Sequence, residues 1–430
     1  MKIIADFHIH SYLSRATSKS MRIDVLSENG KLKGLDLIGT GDFTHPTWFA
    51  HIKEKLGDHE TEDGSGIFNF KGMNWILTGE VSTIYYEDNK SRKVHHVLHV
   101  PSFDLVEQIN EALSKHGNLK VDGRPIVKST SPELVEILME ISKDILIYPA
   151  HAWTSWYGII GEFSGFDSIE ECYHEQTKHI HSLETGMSSD PAMNWRVSSL
   201  DKFTLLSNSD SHSPWVWRIG REANVFDLPK LTYRQINDAI IKKDPKRLKF
   251  TIEVEPSYGK YHFTGHRAYG INIHPKEALK CDNKCPICGR KLTVGVLQRV
   301  EKLADRPEGF CPKNSIPFKS LLPLYEIISH ATGVNQLYSK RVIEQQNQLI
   351  SKFGNEFNVL LEAPKEELLK ATSEKIVDAI IKTREDQVKY IPGYDGVYGR
   401  PVFSDEDYEK LKKKQTARAK EQRSLKDFNQ

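Results

Sequence analysis

Two histidines separated by one residue, His8 and His10, close the strand-like segment from Lys2 to Phe7. At a strand end that spacing turns both imidazoles to one face, where they can grip a single ion. Four more apolar runs end in similar groups: Gly41-Asp42-Phe43-Thr44-His45, Gly79-Glu80, Pro149-Ala150-His151 and Ser209-Asp210-Ser211-His212. Imidazoles and carboxylates delivered by separate strands are what a cluster of two or three divalent cations requires, with one carboxylate able to bridge two ions. Zn, Mg or Mn would suit such donors. The cluster could clamp phosphoryl oxygens, lower the pKa of a bound water and steady a leaving oxyanion, so that no side-chain nucleophile is needed. Arg15 and Lys19 follow the first motif closely enough to neutralise phosphate charge.

A second group of ligands is of a different kind. Cys281-x3-Cys285-Pro286-Ile287-Cys288-Gly289 and the later Cys311 supply four thiolates, the donor set of a closed tetrahedral structural zinc. The fifth cysteine, Cys172, reads as a buried apolar residue. Five of the seven tryptophans, Trp48, Trp153, Trp156, Trp215 and Trp217, fall just after the strand-end motifs. Rings in that position suit a polymer with flat bases better than a small phosphate ester.

The elements that must position these groups change along the chain. From 1 to 250, short apolar runs alternate with helical patterns, as in a parallel α/β protein whose strand ends gather the site at one face. Residues 251–320 hold the clustered cysteines with many Gly and Pro, a small module stapled by metal. From 321 to 400, apolar residues recur at helical spacing, as at Val342, Leu349, Ile350 and Phe353. The segment 401–430 is a basic tail, with eight Lys or Arg against the single acid Glu421 between Lys410 and Lys426.

Composition bounds the reading. With 430 residues, 38% of them hydrophobic, and a formal charge of +1, the chain is an ordinary globular protein of two or three units. Wholesale disorder is excluded, and global charge decides nothing about a polyanionic partner. No apolar run is long enough for a membrane span and no secretory signal is evident, so a cytoplasmic protein with no membrane partner is expected.

The strand-end motifs together resemble the metal motifs of the polymerase and histidinol phosphatase (PHP) superfamily. The resemblance implies a seven-stranded, TIM-like (β/α) barrel with a bi- or trinuclear centre that hydrolyses phosphoesters. Carried over by position, His8, His10, Glu80 and Asp210 would hold one metal. Glu80 would bridge to a second, held by His151 and a histidine of the 95–99 strand, where the superfamily pattern favours His96. Asp42, His45 and His212 would serve a third site, although Phe43 stands where that pattern has its imidazole. Asp210, Glu80 and His151 are the residues implied to act on the reacting phosphate.

A barrel followed by four cysteines and a helical region is narrower still, and resembles the endonuclease Q family. Further matching stretches are Ser182 to Trp195, Tyr261 to Arg267 and Ile391 to Gly399. This resemblance implies hydrolysis of the phosphodiester 5′ to hypoxanthine, uracil, xanthine or an abasic site in DNA. A base pocket would need donors to a keto oxygen, for which the Asn194 amide and the Gly393–Gly399 loop are candidates. Leu360 to Arg384 looks like a helix-hairpin-helix with Thr372-Ser373 in place of the usual glycines, and Gln422 to Phe428 resembles a sliding-clamp-binding peptide. Two rival readings remain open at this point: a phosphoesterase or 3′ exonuclease without lesion specificity, and a DNA-binding repair scaffold that does not cut.

Overall fold

Strands covered on both faces lose the alternation of a half-exposed strand, and the segments Lys2–Asp6, Leu37–Gly39 and Leu146–Pro149 are accordingly almost wholly apolar and buried. In the computed structural model, which describes residues 1–334 and 339–413, they belong to a mixed, curled sheet. Its eight-strand path runs Phe318–Ser320, Leu248–Glu253, Ala223–Asp227, Lys2–Asp6, Leu37–Gly39, Met73–Glu87, Lys90–Val100, Leu146–Pro149. A separate parallel pair, Ser182–Glu184 with Thr204–Leu206, continues beside it, and a parallel bridge from Ile9 to Ser211 brings the chain after that pair back to the first strand.

Inward residues Ile3, Ala5, Leu37, Ile76, Val97, Leu146, Tyr148, Leu206 and Phe226 form one apolar cluster, which also takes in Tyr233, Ile236 and Ile240 of the helix Tyr233–Ile241. Beyond Asp6, at the end of its strand, the chain carries His8 and His10 onward from that apolar interior.

Four of the seven pairings along that path are antiparallel, which corrects the expectation of a parallel (β/α) barrel, and one of them sets the site. The run expected at Trp75 to Gly79 extends as Met73–Glu87, because Val81, Thr83 and Tyr85 keep the two-residue period. It turns through Asp88 and Asn89, both left-handed (φ 49° and 58°), into the antiparallel strand Lys90–Val100. Glu80 therefore sits inside a long hairpin, paired with Val97, rather than at a strand end.

The cysteine-bearing region enters and leaves through the sheet, since Leu248–Glu253 and Phe318–Ser320 are parallel neighbours. Between them lie a short hairpin, Thr264–His266 with Ile271–Ile273, and the helices Pro275–Lys280 and Val296–Leu303. A small core of Ile271, Cys285, Ile287 and Leu292 holds the hairpin and cysteine loop together. The helices Leu324–Thr332, Lys340–Phe353, Lys365–Leu369 and Glu374–Arg384 follow, the last two joined by residues 370–373 as a hairpin requires. The clamp-like peptide Gln422–Phe428 lies outside the described residues. Among those described, no helix is long and apolar enough to cross a membrane.

Two buried charges show how the parts are fastened. Lys33, which ends the helix Ile23–Lys33, reaches Glu356 Oε1 at 2.7 Å with both side chains buried. Glu356 also accepts from Leu324 N and Gln346 Nε2, tying the helical region to the sheet domain. Removing one partner of a buried pair costs about 3 to 5 kcal/mol, so Lys33→Met is expected to lower unfolding free energy by about that amount in urea titration. Burial pushes Glu253 up to about 8, despite hydrogen bonds from Thr251 and Thr185. A folded pKa above the ordinary 4.5 means that the folded protein holds an extra proton in between, so the stability this group contributes is intact below about 4.5 and lost as pH rises through about 8. Glu253→Gln should flatten that fall in melts recorded across the same pH range.

Candidate metal centre

His8, His10 and Asp210 place one ligand atom each within 4.8 Å of one another, and Glu80, His95 and His151 do the same. Glu80 joins the two groups. Its Oε2 lies 3.4 Å from His8 Nε2 and 3.3 Å from His10 Nε2, while its Oε1 lies 2.9 Å from His95 Nδ1 and 3.5 Å from His151 Nε2. Asp210 Oδ1 stands 3.0 Å from His10 Nε2 and 3.6 Å from His8 Nε2.

Supporting groups fix the imidazoles. The Glu184 carboxylate accepts from His8 Nδ1 at 3.0 Å and from the His151 backbone N at 2.8 Å. Asp42 Oδ1 accepts from His10 Nδ1 at 2.9 Å, and its Oδ2 accepts from Ser11 N, Ser11 Oγ and Ser14 Oγ. With Nδ1 donating outward, a neutral imidazole turns its Nε2 lone pair inward, which is the orientation of a metal ligand. His8 Nε2 is buried without any hydrogen bond in the structure, the state of a ligand atom aimed at an ion. Nitrogen and carboxylate oxygen donors in this number suit divalent cations.

The backbone is bent to serve the cluster. Asp42, His151 and Asp210 all have left-handed φ, at 47°, 29° and 45°, an uncommon state for residues with side chains and one that concentrates at functional sites. Gly186 clears the way for His151, since a Cβ there would meet His151 Cβ at 2.7 Å.

Electrostatics point the same way. Burial opposes a charge on His8, yet Glu184, Glu80 and Asp210 outweigh it and raise its pKa well above the ordinary value. Burial would raise Glu80, but His95, Arg124 and His8 hold it well below the carboxylate range. His95 goes the other way, down to about 4, because burial dominates and Arg124 and His151 offset the attraction of Glu80. The centre thus demands positive charge on the His8 side and keeps neutral imidazole on the other.

The sequence-derived candidates sort unevenly. His8, His10, Glu80, His151 and Asp210 converge. His96 does not, which corrects that expectation: its Nδ1 is 2.9 Å from the Tyr173 hydroxyl and its Nε2 3.1 Å from Thr83 Oγ1. Residues paired across an antiparallel ladder share a face, so Glu80 opposite Val97 brings His95 inward and turns His96 away. His99 faces inward but lower, 2.9 Å from the Tyr148 hydroxyl. Asp42 orients His10 instead of joining a third group, and His45 caps the helix Pro46–Leu56 through Thr47 N. His212 packs its ring 4.6 Å from that of His10 with Nδ1 held at 2.8 Å from Asp210 O, at the edge of the cluster.

Asn194 is spent on structure, accepting from Trp153 Nε1 and donating to Ser189 Oγ and Asp190 O, so its amide is not a base-pocket donor. Trp48 and Trp153 are fully buried. Glu184 and Arg124 were given no role by the sequence; Glu184 ends the short strand Ser182–Glu184, which only Leu183 marks as apolar, and Arg124 Nη1 is 3.1 Å from Glu80 Oε2.

The cysteines form a different set from the one expected. His266, Cys285 and Cys288 bring their ligand atoms together, with His266 Nδ1 3.6 Å from Cys288 Sγ. Cys281 packs against the same small core. Cys311 is exposed beside Ser315 Oγ and outside this group, because the chain has by then left the cysteine loop for the strand Phe318–Ser320.

Residues 323–387 match the family model described as the MJ0043 C-terminal domain. Over 259 residues the chain is 34% identical to the protein MJ0043 of Methanocaldococcus jannaschii, covering 60% of this chain and 32% of that one, so it spans about a third of that relative's length. The crystal structure of PfuEndoQ from Pyrococcus furiosus, described as a novel lesion-specific endonuclease, is similar over 95% of this chain and 97% of its own, with 33% identity and a TM-score of 0.85. An endonuclease Q complexed with a 27-mer duplex substrate bearing an abasic lesion at the active site is similar over 94% and 98%, with 33% identity and a TM-score of 0.82.

Loss of a carboxylate that orients an imidazole ligand costs about 10- to 100-fold in metal affinity. Glu184→Ala is expected to show that loss for Mn or Zn in isothermal titration, with the fold intact by circular dichroism.

Proposed function

The chain belongs to the endonuclease Q family, and from that premise we propose that it is a metal-dependent endodeoxyribonuclease of DNA repair, hydrolysing the phosphodiester 5′ to deaminated bases or abasic sites. The observation that carries the reading is the junction of two ligand groups through the single buried carboxylate of Glu80, in a chain similar along its length to a lesion-specific endonuclease. In this reading His8, His10 and Asp210 would hold one cation and His95 and His151 a second, with Glu80 a donor shared by both groups. Cations there supply clamping of the phosphoryl oxygens and a hydroxide near neutral pH.

The chain's own residues do the positioning. Glu184 and Asp42 lock His8 and His10. Arg124 and His95 line a cavity of about 300 Å³ with Arg15 and Tyr157, which sets a fixed cation beside the cluster where a strand's phosphate can enter. The sheet with its parallel pair, joined by the bridge from Ile9 to Ser211, acts as the catalytic barrel. His266, Cys285 and Cys288, with Cys281 against the same small core, would hold a structural zinc, which would stiffen the module between the strands Leu248–Glu253 and Phe318–Ser320. The helical region, with the hairpin ending at Arg384, grips the duplex. Deaminated bases are selected by donors that meet a keto oxygen, for which the loop Gly393–Gly399 stays a candidate.

End-labelled duplexes carrying one uracil, hypoxanthine, abasic site or no lesion test the reading. The protein is expected to nick only the lesion strands on the 5′ side, to stop when chelator is added, and to lose about 100-fold or more in kcat with Asp210→Ala, as removal of an essential metal ligand does. Degradation of every duplex from its ends would replace it by an exonuclease, and lesion binding without cleavage by a scaffold.

A further inference from the structure

The loop from His151 to Asp167 is coiled on itself by its own backbone. Thr154 N donates to His151 O, Ile160 N to Ala152 O, Phe163 N to Ser155 O and Phe166 N to Ile159 O, at 2.9, 2.8, 3.1 and 2.7 Å. Two more bonds fasten it to the strand that carries His95: His95 N to Tyr157 O at 3.1 Å and Lys93 N to Ser164 O at 3.2 Å. From the inserted module the buried guanidinium of Arg299 donates to Ile160 O and Phe166 O at 3.0 and 2.8 Å.

Those bonds fix the path of the loop's backbone and satisfy its polar groups internally. It nevertheless holds Trp156 51% exposed and Phe163 44% exposed, their rings stacked with centroids 4.8 Å apart and planes 28° apart. Lys93 Nζ lies 5.4 Å from the Trp156 ring centre. The next residue, Tyr157, packs its ring 4.4 Å from that of His95, so the exposed pair adjoins the Glu80, His95 and His151 group.

Resting on the nuclease reading above, we propose that Trp156 and Phe163 form a ledge on which one DNA base, unstacked beside the scissile phosphate, lies flat, with Lys93 facing the backbone of the same strand. The chemistry selects a nucleobase over an apolar protein partner: a flat π-face matches the ring in any sequence, and a cation held at that ring suits a phosphodiester. The ledge is rigid before DNA arrives, so stacking needs no loop ordering.

The test compares wild type, Trp156→Ala and Trp156→Phe on one lesion placed in a duplex or in a single strand, with 2-aminopurine next to the lesion as a reporter of stacking. Loss of one base stack predicts that Trp156→Ala falls by about tenfold or more in kcat/KM on the duplex but by less than about threefold on the single strand. The 2-aminopurine quenching seen with wild type should disappear, Trp156→Phe should restore most of both signals, and metal affinity should be unchanged. Wild-type cleavage and quenching in Trp156→Ala would overturn the ledge while leaving the nuclease intact. Equal loss on both substrates would overturn it too, as damage to the centre itself. A wild-type protein that nicks no lesion strand would sink the nuclease reading, and the ledge with it.

Discussion

A carboxylate with no access to water must be surrounded by positive groups, and the sheet domain is arranged around that requirement at Glu80. The partners come from distant parts of the sequence: His8 and His10 after the first strand, His95 from the neighbouring strand, His151 after the Leu146–Pro149 strand, and Arg124 from the segment between. Moving any one of these elements by a residue would strand the charge. The hairpin register that sets Glu80 opposite Val97, and the glycine that lets the chain pass His151, are consequences of the same constraint.

Directly beside the centre the sheet interior becomes apolar, filled by residues such as Phe7, Val97, Leu206 and Phe226. Stability and reactivity are thereby separated along the strands. Strained backbone at Asp42, His151 and Asp210 is borne by a core that does not share its chemistry. Glu184 belongs to both halves, since its strand pairs beside the apolar interior while its carboxylate orients two of the histidine segments.

Much of this was legible in the sequence, and the failures have a common cause. His8, His10, His151 and Asp210 were readable because each sits within a few residues of an apolar run, so its position follows from the run alone. The choice between His95 and His96 depends on cross-strand register, which no single strand carries. Glu80 was assigned to a strand end because the run to Gly79 looked complete, although alternation continued through Tyr85. His266 lies well before the cysteines and gathers with them only through the pairing of Thr264–His266 with Ile271–Ile273, whereas Cys311, closer in type, ends up elsewhere. Arg124 precedes its short strand, Ile126–Val127, instead of ending one, so the strand-end pattern does not mark it.

The cysteine-bearing module is the crossover connection between two parallel strands, Leu248–Glu253 and Phe318–Ser320. Both of its ends are therefore anchored in the sheet that carries the candidate metal ligands, and between them Arg299 is bonded to the loop that follows His151. A module held at both ends by strand pairing and along its side by a buried guanidinium moves only with the sheet, so its distance from the candidate centre is set by the fold.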